Sequence, residues 1–320
     1  MASAKKIKND IIYYLIRGLL AVFDLLPRNI ALMLGRFFGE LAAIIDVNER
    51  KLAETNLRNV YGDKWSDLKI KLVARECFVK LGLNAADVIL SRRWTGKELG
   101  ELIDVEGYEH FENAYAEGKG IVGLTGHIGN FELFAAWFSS VRKIPLSVIG
   151  RELYDKRLDD LIVENRRRFG LENIPSDAPA KKLLSVLKDG KMIGVLLDLD
   201  SSKVSGYFAP FFGRPANTAA GPVVLGRKTG SPVVPMAMFR RPDDRYLVKV
   251  LPAFKINNTD DKEADIVDGL TRCNKALEEL INFDPTQWIW IHNRWKSKPG
   301  DSSSVKNIMK EEERSVSEQQ

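Results

Sequence analysis

An imidazole takes up and releases a proton near neutral pH, so base chemistry is sought first among the histidines. The chain has 3 of them, His110, His127 and His292. His127 stands in the run Gly120-Ile-Val-Gly-Leu-Thr-Gly-His-Ile-Gly-Asn-Phe-Glu-Leu-Phe134. Ile121 to Leu124 has the length and composition of a buried strand, a glycine-rich turn carries His127, and Leu133 to Phe138 reads as an apolar helix. Asn130 falls where a helix N-cap is expected, which places Glu132 in the first helical turn. Free N–H groups and the helix dipole favour an ionised carboxylate there. The pair therefore reads as a general base, His127, whose tautomer and orientation are fixed by Glu132. In a chain with 43 acidic residues such a spacing is weak by itself, and its surroundings carry the weight.

Those surroundings have a pattern. Thr-Gly-His-Ile-Gly-Asn-Phe-Glu resembles the His-x-x-x-x-acid signature of glycerolipid-type acyltransferases, in the version of the late-step lipid A biosynthesis (lauroyl/myristoyl) acyltransferase family. Leu187-Lys-Asp-Gly-Lys-Met-Ile-Gly-Val-Leu-Leu-Asp-Leu-Asp200 is similar to that family's second block. Gly206-Tyr-Phe-Ala-Pro-Phe-Phe-Gly-Arg-Pro-Ala-Asn-Thr218, Gly230-Ser-Pro-Val-Val-Pro235 and Gln287-Trp-Ile-Trp-Ile-His-Asn-Arg-Trp-Lys296 complete the set in the family's order, across nearly the whole chain. Leu199 and Asn293 depart from it, where many members carry a polar and a basic residue.

The resemblance implies acyl transfer from a thioester to a lipid hydroxyl. The acceptor would be a lipid A precursor, and the donor an acyl carrier protein or acyl-CoA. Another glycolipid, such as a phosphatidylinositol mannoside acylated from acyl-CoA, is the second acceptor class. No cofactor and no metal are implied. His127 would take the hydroxyl proton while Glu132 holds the imidazole. The acceptor oxygen attacks directly, so no protein nucleophile is needed. An oxyanion develops, for which the backbone amides from Ile128 to Phe131 are candidates at a helix N-terminus. The family pattern also singles out Arg167, to face anionic groups, and Asp198 at a strand's edge. Asp200 is a weaker candidate, and Asn217, Thr218, Arg294 and Trp295 are candidates to line the acceptor path. The implied location is the cytoplasmic face of the cell inner membrane.

Other chemistries lack their signatures. There is no Gly-x-Ser-x-Gly elbow, and Ser140-Val-Arg-Lys143 has no supporting context. The histidines lack zinc-binding spacing. Cys77 and Cys273 are too few for a disulfide framework and read as reduced core thiols. The net charge of +5 and scattered basic clusters suit anionic headgroups or acidic partners. No zinc-finger, helix-turn-helix or RNA-binding motif points to nucleic acid.

The elements that must position these groups read as an α/β fold, a mixed sheet flanked by helices of the glycerolipid acyltransferase type, behind an N-terminal membrane-associated helical segment. Residues 1–47 form that segment, 48–300 the acyltransferase domain, and 301–320 a disordered Ser-, Lys- and Glu-rich tail. Ile11 to Leu26 falls short of the ~18 uninterrupted apolar residues of a spanning helix. Asp10, Arg17 and Asp24 would form one polar stripe, with Ile12, Leu15, Leu19, Val22 and Leu26 on an apolar side and Lys5, Lys6 and Lys8 leading in. That pattern fits an interfacial helix, and Ile30 to Val47 is likewise amphipathic. Strands are expected at Ile121–Leu124, Ser147–Ile149, Met192–Leu197, Val233–Phe239 and Tyr246–Val250, with a short last one around Trp288 and Trp290. Helices are expected at Tyr108–Glu117, Asn130–Ser140, Leu158–Phe169, Ala180–Leu187, Ala219–Lys228 and Lys262–Asn282.

Overall fold

A computed structural model describes residues 2–200 and 206–299, with side chains from residue 8 onward. The expected disordered tail lies outside the described residues, as do the side chains of Lys5 and Lys6. Four helices come first: α1 (Ala2–Phe23), α2 (Arg28–Ile45), α3 (Val47–Tyr61) and α4 (Asp67–Leu90). Strands and helices then alternate through α5 (Gly96–Glu101), β1 (Ile103–Glu106), α6 (Tyr108–Tyr115), β2 (Ile121–Thr125), α7 (Phe131–Ser140), β3 (Leu146–Gly150), α8 (Lys156–Arg168), β4 (Glu172–Pro175), α9 (Ala180–Lys188) and β5 (Met192–Leu196). A hairpin, β6 (Gly206–Phe211) and β7 (Arg214–Ala219), precedes α10 (Gly221–Thr229), β8 (Val233–Arg240), β9 (Tyr246–Val250) and α11 (Lys262–Phe283).

The main sheet has 7 strands in the order β1-β9-β8-β2-β5-β3-β4. Only the β8–β9 pairing is antiparallel. The central strands are apolar throughout because both faces are covered, and side-chain alternation still sorts them. Val122 and Leu124 of β2, with Val233, Ala237 and Phe239 of β8, join the core shared with α3, α10 and α11. Ile121, Val234, Met236 and Met238 join the opposite core with α4, α6 and α7.

Strands β1 and β4 escape a periodicity reading because they are four-residue edges with charged or polar members. The hairpin escapes it because two prolines, Pro210 and Pro215, face each other across it. The expected strand at Trp288–Trp290 does not form. A 3-10 turn at Pro285–Gln287 precedes it, and Trp288 makes only a single bridge to Ile128.

The N-terminal helices are arranged inside out. Asp10 pairs with Arg157 of α8 at 2.8 Å and Asp24, in the turn just after α1, with Arg92 at 3.4 Å, so the acids of the expected stripe face the protein. Ile11, Tyr14, Leu15, Leu19, Val22 and Leu25 are left exposed, while Leu20 and Phe23 are buried. On α2 the buried residues are Ala31, Leu32, Gly35, Gly39 and Ala43, mostly small. Met33, Phe37, Phe38, Ile44 and Ile45 point outward. No helix among the described residues is long and apolar enough to cross a membrane.

Candidate active site

Strands β2 and β5 are parallel neighbours with Thr125 opposite Leu196. Two residues beyond that pair, the chain brings His127 and Asp198 together just outside the strands' carboxyl ends, where open α/β sheets place their ligand crevices. The His127 Nδ1 lies 2.9 Å from Asp198 Oδ1, and the His127 backbone N–H donates to Asp198 Oδ2 at 2.7 Å. The Trp288 indole N–H donates to that same oxygen at 2.7 Å. Asp198 is fully buried, and burial alone would raise its pKa. The charge and hydrogen bonds of His127, with the indole bond, outweigh burial and hold it below the carboxylate value.

An ionised carboxylate can only accept, so Nδ1 carries the proton and the neutral ring keeps its lone pair on Nε2. Burial disfavours the imidazolium, but Asp198, with a smaller contribution from Glu132, raises the His127 pKa above 6.5. The ring keeps 22% of its side-chain surface exposed, with Phe131 edge-on at 5.0 Å. The arrangement can abstract a proton at Nε2 and stabilise the charge that results.

The expected bond from Glu132 to this ring is absent, because Asp198 occupies Nδ1. Glu132 instead receives Arg166 Nε at 3.0 Å and Nη2 at 2.5 Å. Arg166 Nη1 donates to Asn173 at 2.6 Å. The correction has a simple cause: Asn130 caps α7 by accepting from the Leu133 N–H at 3.2 Å, and the helix then carries Glu132 toward α8. A second correction concerns Arg167, the middle of three consecutive arginines, Arg166 to Arg168. Arg166 reaches the motif, while Arg167 is exposed one residue on, about 100° around the helix.

The turn itself is tightly constrained. Gly129 has φ +55°, and a Cβ there would collide with the Met238 carbonyl oxygen. At Gly126 a Cβ would stand 2.9 Å from the Asp198 carboxylate. The Gly129 and Asn130 amides donate to the carbonyls of Gln287 (2.7 Å) and Met238 (3.2 Å). Of the amides expected to meet an oxyanion, those two are therefore spent, which leaves Ile128 and Phe131.

The residues expected along an acceptor path lie beneath the site instead. Arg294 and Thr218 are fully buried, with Asn217 and Trp295 nearly so. Arg294 donates to the Asn217 carbonyl (2.5 Å) and to Thr218 Oγ1 (2.7 Å), and burial brings its pKa down to about 10. Asp200 braces this layer: Asn217 and the Ser297 N–H and hydroxyl donate to its carboxylate, and its own N–H donates to His292 Nε2 at 3.0 Å. Trp288, Arg166 and His292 are members of the site that residue spacing does not single out. Trp288 and His292 lie in the family-like block Gln287–Lys296, and Arg166 lies next to Arg167.

A family model, bacterial lipid A biosynthesis acyltransferase, matches residues 3–297. The lipid A biosynthesis palmitoleoyltransferase of Escherichia coli (strain K12) is 24% identical over 290 residues, 90% of this chain and 92% of that one. The lauroyltransferase of the same organism is 25% identical over 287 residues, 88% of this chain and 90% of that one. A phosphatidylinositol mannoside acyltransferase of Mycolicibacterium smegmatis is 29% identical over 205 residues, 62% of this chain and 64% of that one. With the matched span running through helices, sheet and site alike, this chain belongs to the bacterial lipid A biosynthesis acyltransferase family.

Proposed function

We propose that this acyltransferase moves a fatty acyl chain from an acyl thioester, carried by an acyl carrier protein or CoA, to a hydroxyl of a lipid A precursor at the cytoplasmic face of the inner membrane. The observation that carries the mechanism is the bond from His127 Nδ1 to buried Asp198, which leaves Nε2 free to act as base. Nε2 takes the acceptor's hydroxyl proton as the oxygen attacks the thioester carbonyl. The oxyanion forms near the Phe131 amide at the start of α7, and collapse expels the thiolate. The proton held on His127 then passes to the leaving sulfur. Asp198 stays ionised and orients the ring. The M. smegmatis relative supports a second acceptor class, a phosphatidylinositol mannoside. The test is to offer purified protein both donors with a phosphorylated disaccharide lipid or a phosphatidylinositol mannoside, and to weigh the product by mass spectrometry. No acylated product from any of the four combinations would sink the reading.

Among the described residues, Arg166, bonded to Glu132 beside the His127 turn, is a cation placed to meet an anionic substrate group. Burial works against its charge, yet the Glu132 hydrogen bonds and charge raise its pKa, so it stays protonated. Arg166→Lys, which loses the planar fork, should raise KM or lower turnover by about tenfold, the scale of one charge-assisted hydrogen bond. Arg167→Ala should change neither by more than about twofold. A parallel assay at matched folding decides it, and the reverse order would return Arg167 to the site.

Attachment to the bilayer is proposed through α1 and α2, lying in the interface with their outward apolar residues in the headgroup region. Leu15, Phe37 and Ile44 are 69%, 57% and 62% exposed, so their substitution spares the core. The triple change Leu15→Glu, Phe37→Glu and Ile44→Glu should reduce binding to anionic phospholipid vesicles by at least about tenfold, since each side chain buried is worth roughly 1.5–3 kcal/mol. Cosedimentation equal to the parent protein's would refute this mode of attachment.

A further inference from the structure

The turn that carries His127 is gripped from behind by a buried polar network for which acyl transfer itself has no use. Asn130 is its end nearest the site. While Oδ1 caps α7, Nδ2 donates to the Tyr246 hydroxyl at 3.1 Å and to the Asn84 carbonyl at 3.3 Å. The Tyr246 hydroxyl in turn donates to Asp87 Oδ2 at 2.7 Å. Asp87, fully buried on α4, also receives Arg240 Nη2 at 2.7 Å and both Nε and Nη2 of Arg28, at 2.9 and 2.8 Å. Arg240 Nη2 reaches the Tyr246 hydroxyl as well, at 2.5 Å. Asp244 completes the charge balance: its carboxylate takes Arg240 Nη1 at 3.2 Å and its carbonyl takes Arg28. Arg28 is the first residue of α2. One continuous chain of bonds therefore runs from the start of the outward-facing helix α2 to the cap of the active-site helix.

Stability is a poor explanation for such a network. Buried ion pairs are often matched or bettered by apolar residues of the same volume, because desolvation offsets their attraction. What they supply is direction, since each donor has one geometry that satisfies its acceptor. Here the last acceptor-donor pair acts on Asn130, three residues from His127.

We propose that Arg28, Asp87 and Tyr246 are positioning residues that act through Asn130 to hold the His127–Phe131 turn, tying the catalytic geometry to the seating of α2. This rests on the reading of His127 as the catalytic base. The turn sets where the Phe131 amide and the His127 ring stand relative to each other. A displacement of 1 Å at such a centre costs about a hundredfold in rate.

Two substitutions break the chain of bonds at different places. Tyr246→Phe removes the hydroxyl between Asn130 and Asp87. Arg28→Lys keeps the charge at α2 but loses the bidentate fork. Asn130→Ser, which keeps a capping oxygen and drops the Nδ2 bonds, covers the case in which Tyr246→Phe fails to fold. Full-length protein in detergent micelles is followed by hydrogen exchange across residues 126–134, with the β5 segment as internal reference, and by kcat and KM. Faster exchange in 126–134 than in β5 is expected for all variants, with kcat lowered about ten- to a hundredfold and KM within about threefold. Unchanged exchange in 126–134, equal acceleration in β5, or faster exchange with unaltered kcat would each overturn the proposal. His127→Ala runs alongside: retained turnover there defeats the catalytic reading, while the exchange data still judge the coupling.

Discussion

Replacing His127 by alanine is expected to lower turnover by about 10²–10⁴-fold, the usual contribution of a positioned general base. Among the described residues the other titratable groups of the site are engaged, His292 accepting from the Asp200 N–H at Nε2. Glu132 is held by two Arg166 bonds, and Asp198 is fully buried with its oxygens occupied by three donors. The substitution also strips one of those donors from a buried carboxylate, which should cost about 1–3 kcal/mol of stability. His127→Asn is the needed companion, because its amide N–H can still donate to Asp198 while offering no base. Both variants should lose turnover on that scale, and His127→Asn should melt nearer the parent protein. Turnover within about tenfold of the parent in either folded variant would show that the acceptor hydroxyl loses its proton by another route.

The strands that position His127 are legible in the sequence, but their neighbours are not. Ile121–Leu124, entered from Gly120, and Met192–Leu197, ended by Asp198, are apolar runs, and they appear as β2 and β5 within a residue of expectation. Whether they lie side by side depends on pairing across 71 residues, for which local composition carries no signal. Local spacing therefore points to Glu132 as the partner of His127, while the structure supplies the distant Asp198. Helix phase is a second blind spot. A cluster of three arginines at the end of α8 shows that a cation is near, but one residue of phase decides which one enters. Surface amphipathicity is a third. The stripe Asp10, Arg17, Asp24 is plain in the sequence, yet a polar stripe normally faces water, and only the pairs with Arg157 and Arg92 show that its acids face the protein.

Asp198→Asn is expected to lower turnover by about 10⁴-fold, the scale seen when an imidazole is held in the wrong tautomer. The geometry dictates why. Two donors, the His127 backbone N–H and the Trp288 indole, converge on Oδ2, whereas Oδ1 faces the His127 ring alone. An asparagine has one accepting oxygen, and it satisfies most donors by turning that oxygen to the Oδ2 position. Its NH₂ then points at His127 Nδ1, which must accept, so the ring's proton moves to Nε2 and the base is lost. The pH dependence changes as well. Burial lowers the His127 pKa and the Asp198 charge raises it, with a net rise above 6.5 in the parent protein. The base works only when neutral, so activity should climb with pH through that raised value. With the carboxylate gone, burial acts unopposed by Asp198, and the acidic limb of whatever activity remains should move to lower pH. Glu132→Ala should leave that limb close to its parent position, because Glu132 makes only the smaller contribution to the His127 charge and none of its hydrogen bonds. Turnover and pH profiles of the two variants, measured at matched folding, separate the assignments: a larger loss in Glu132→Ala than in Asp198→Asn would transfer the orienting role to Glu132.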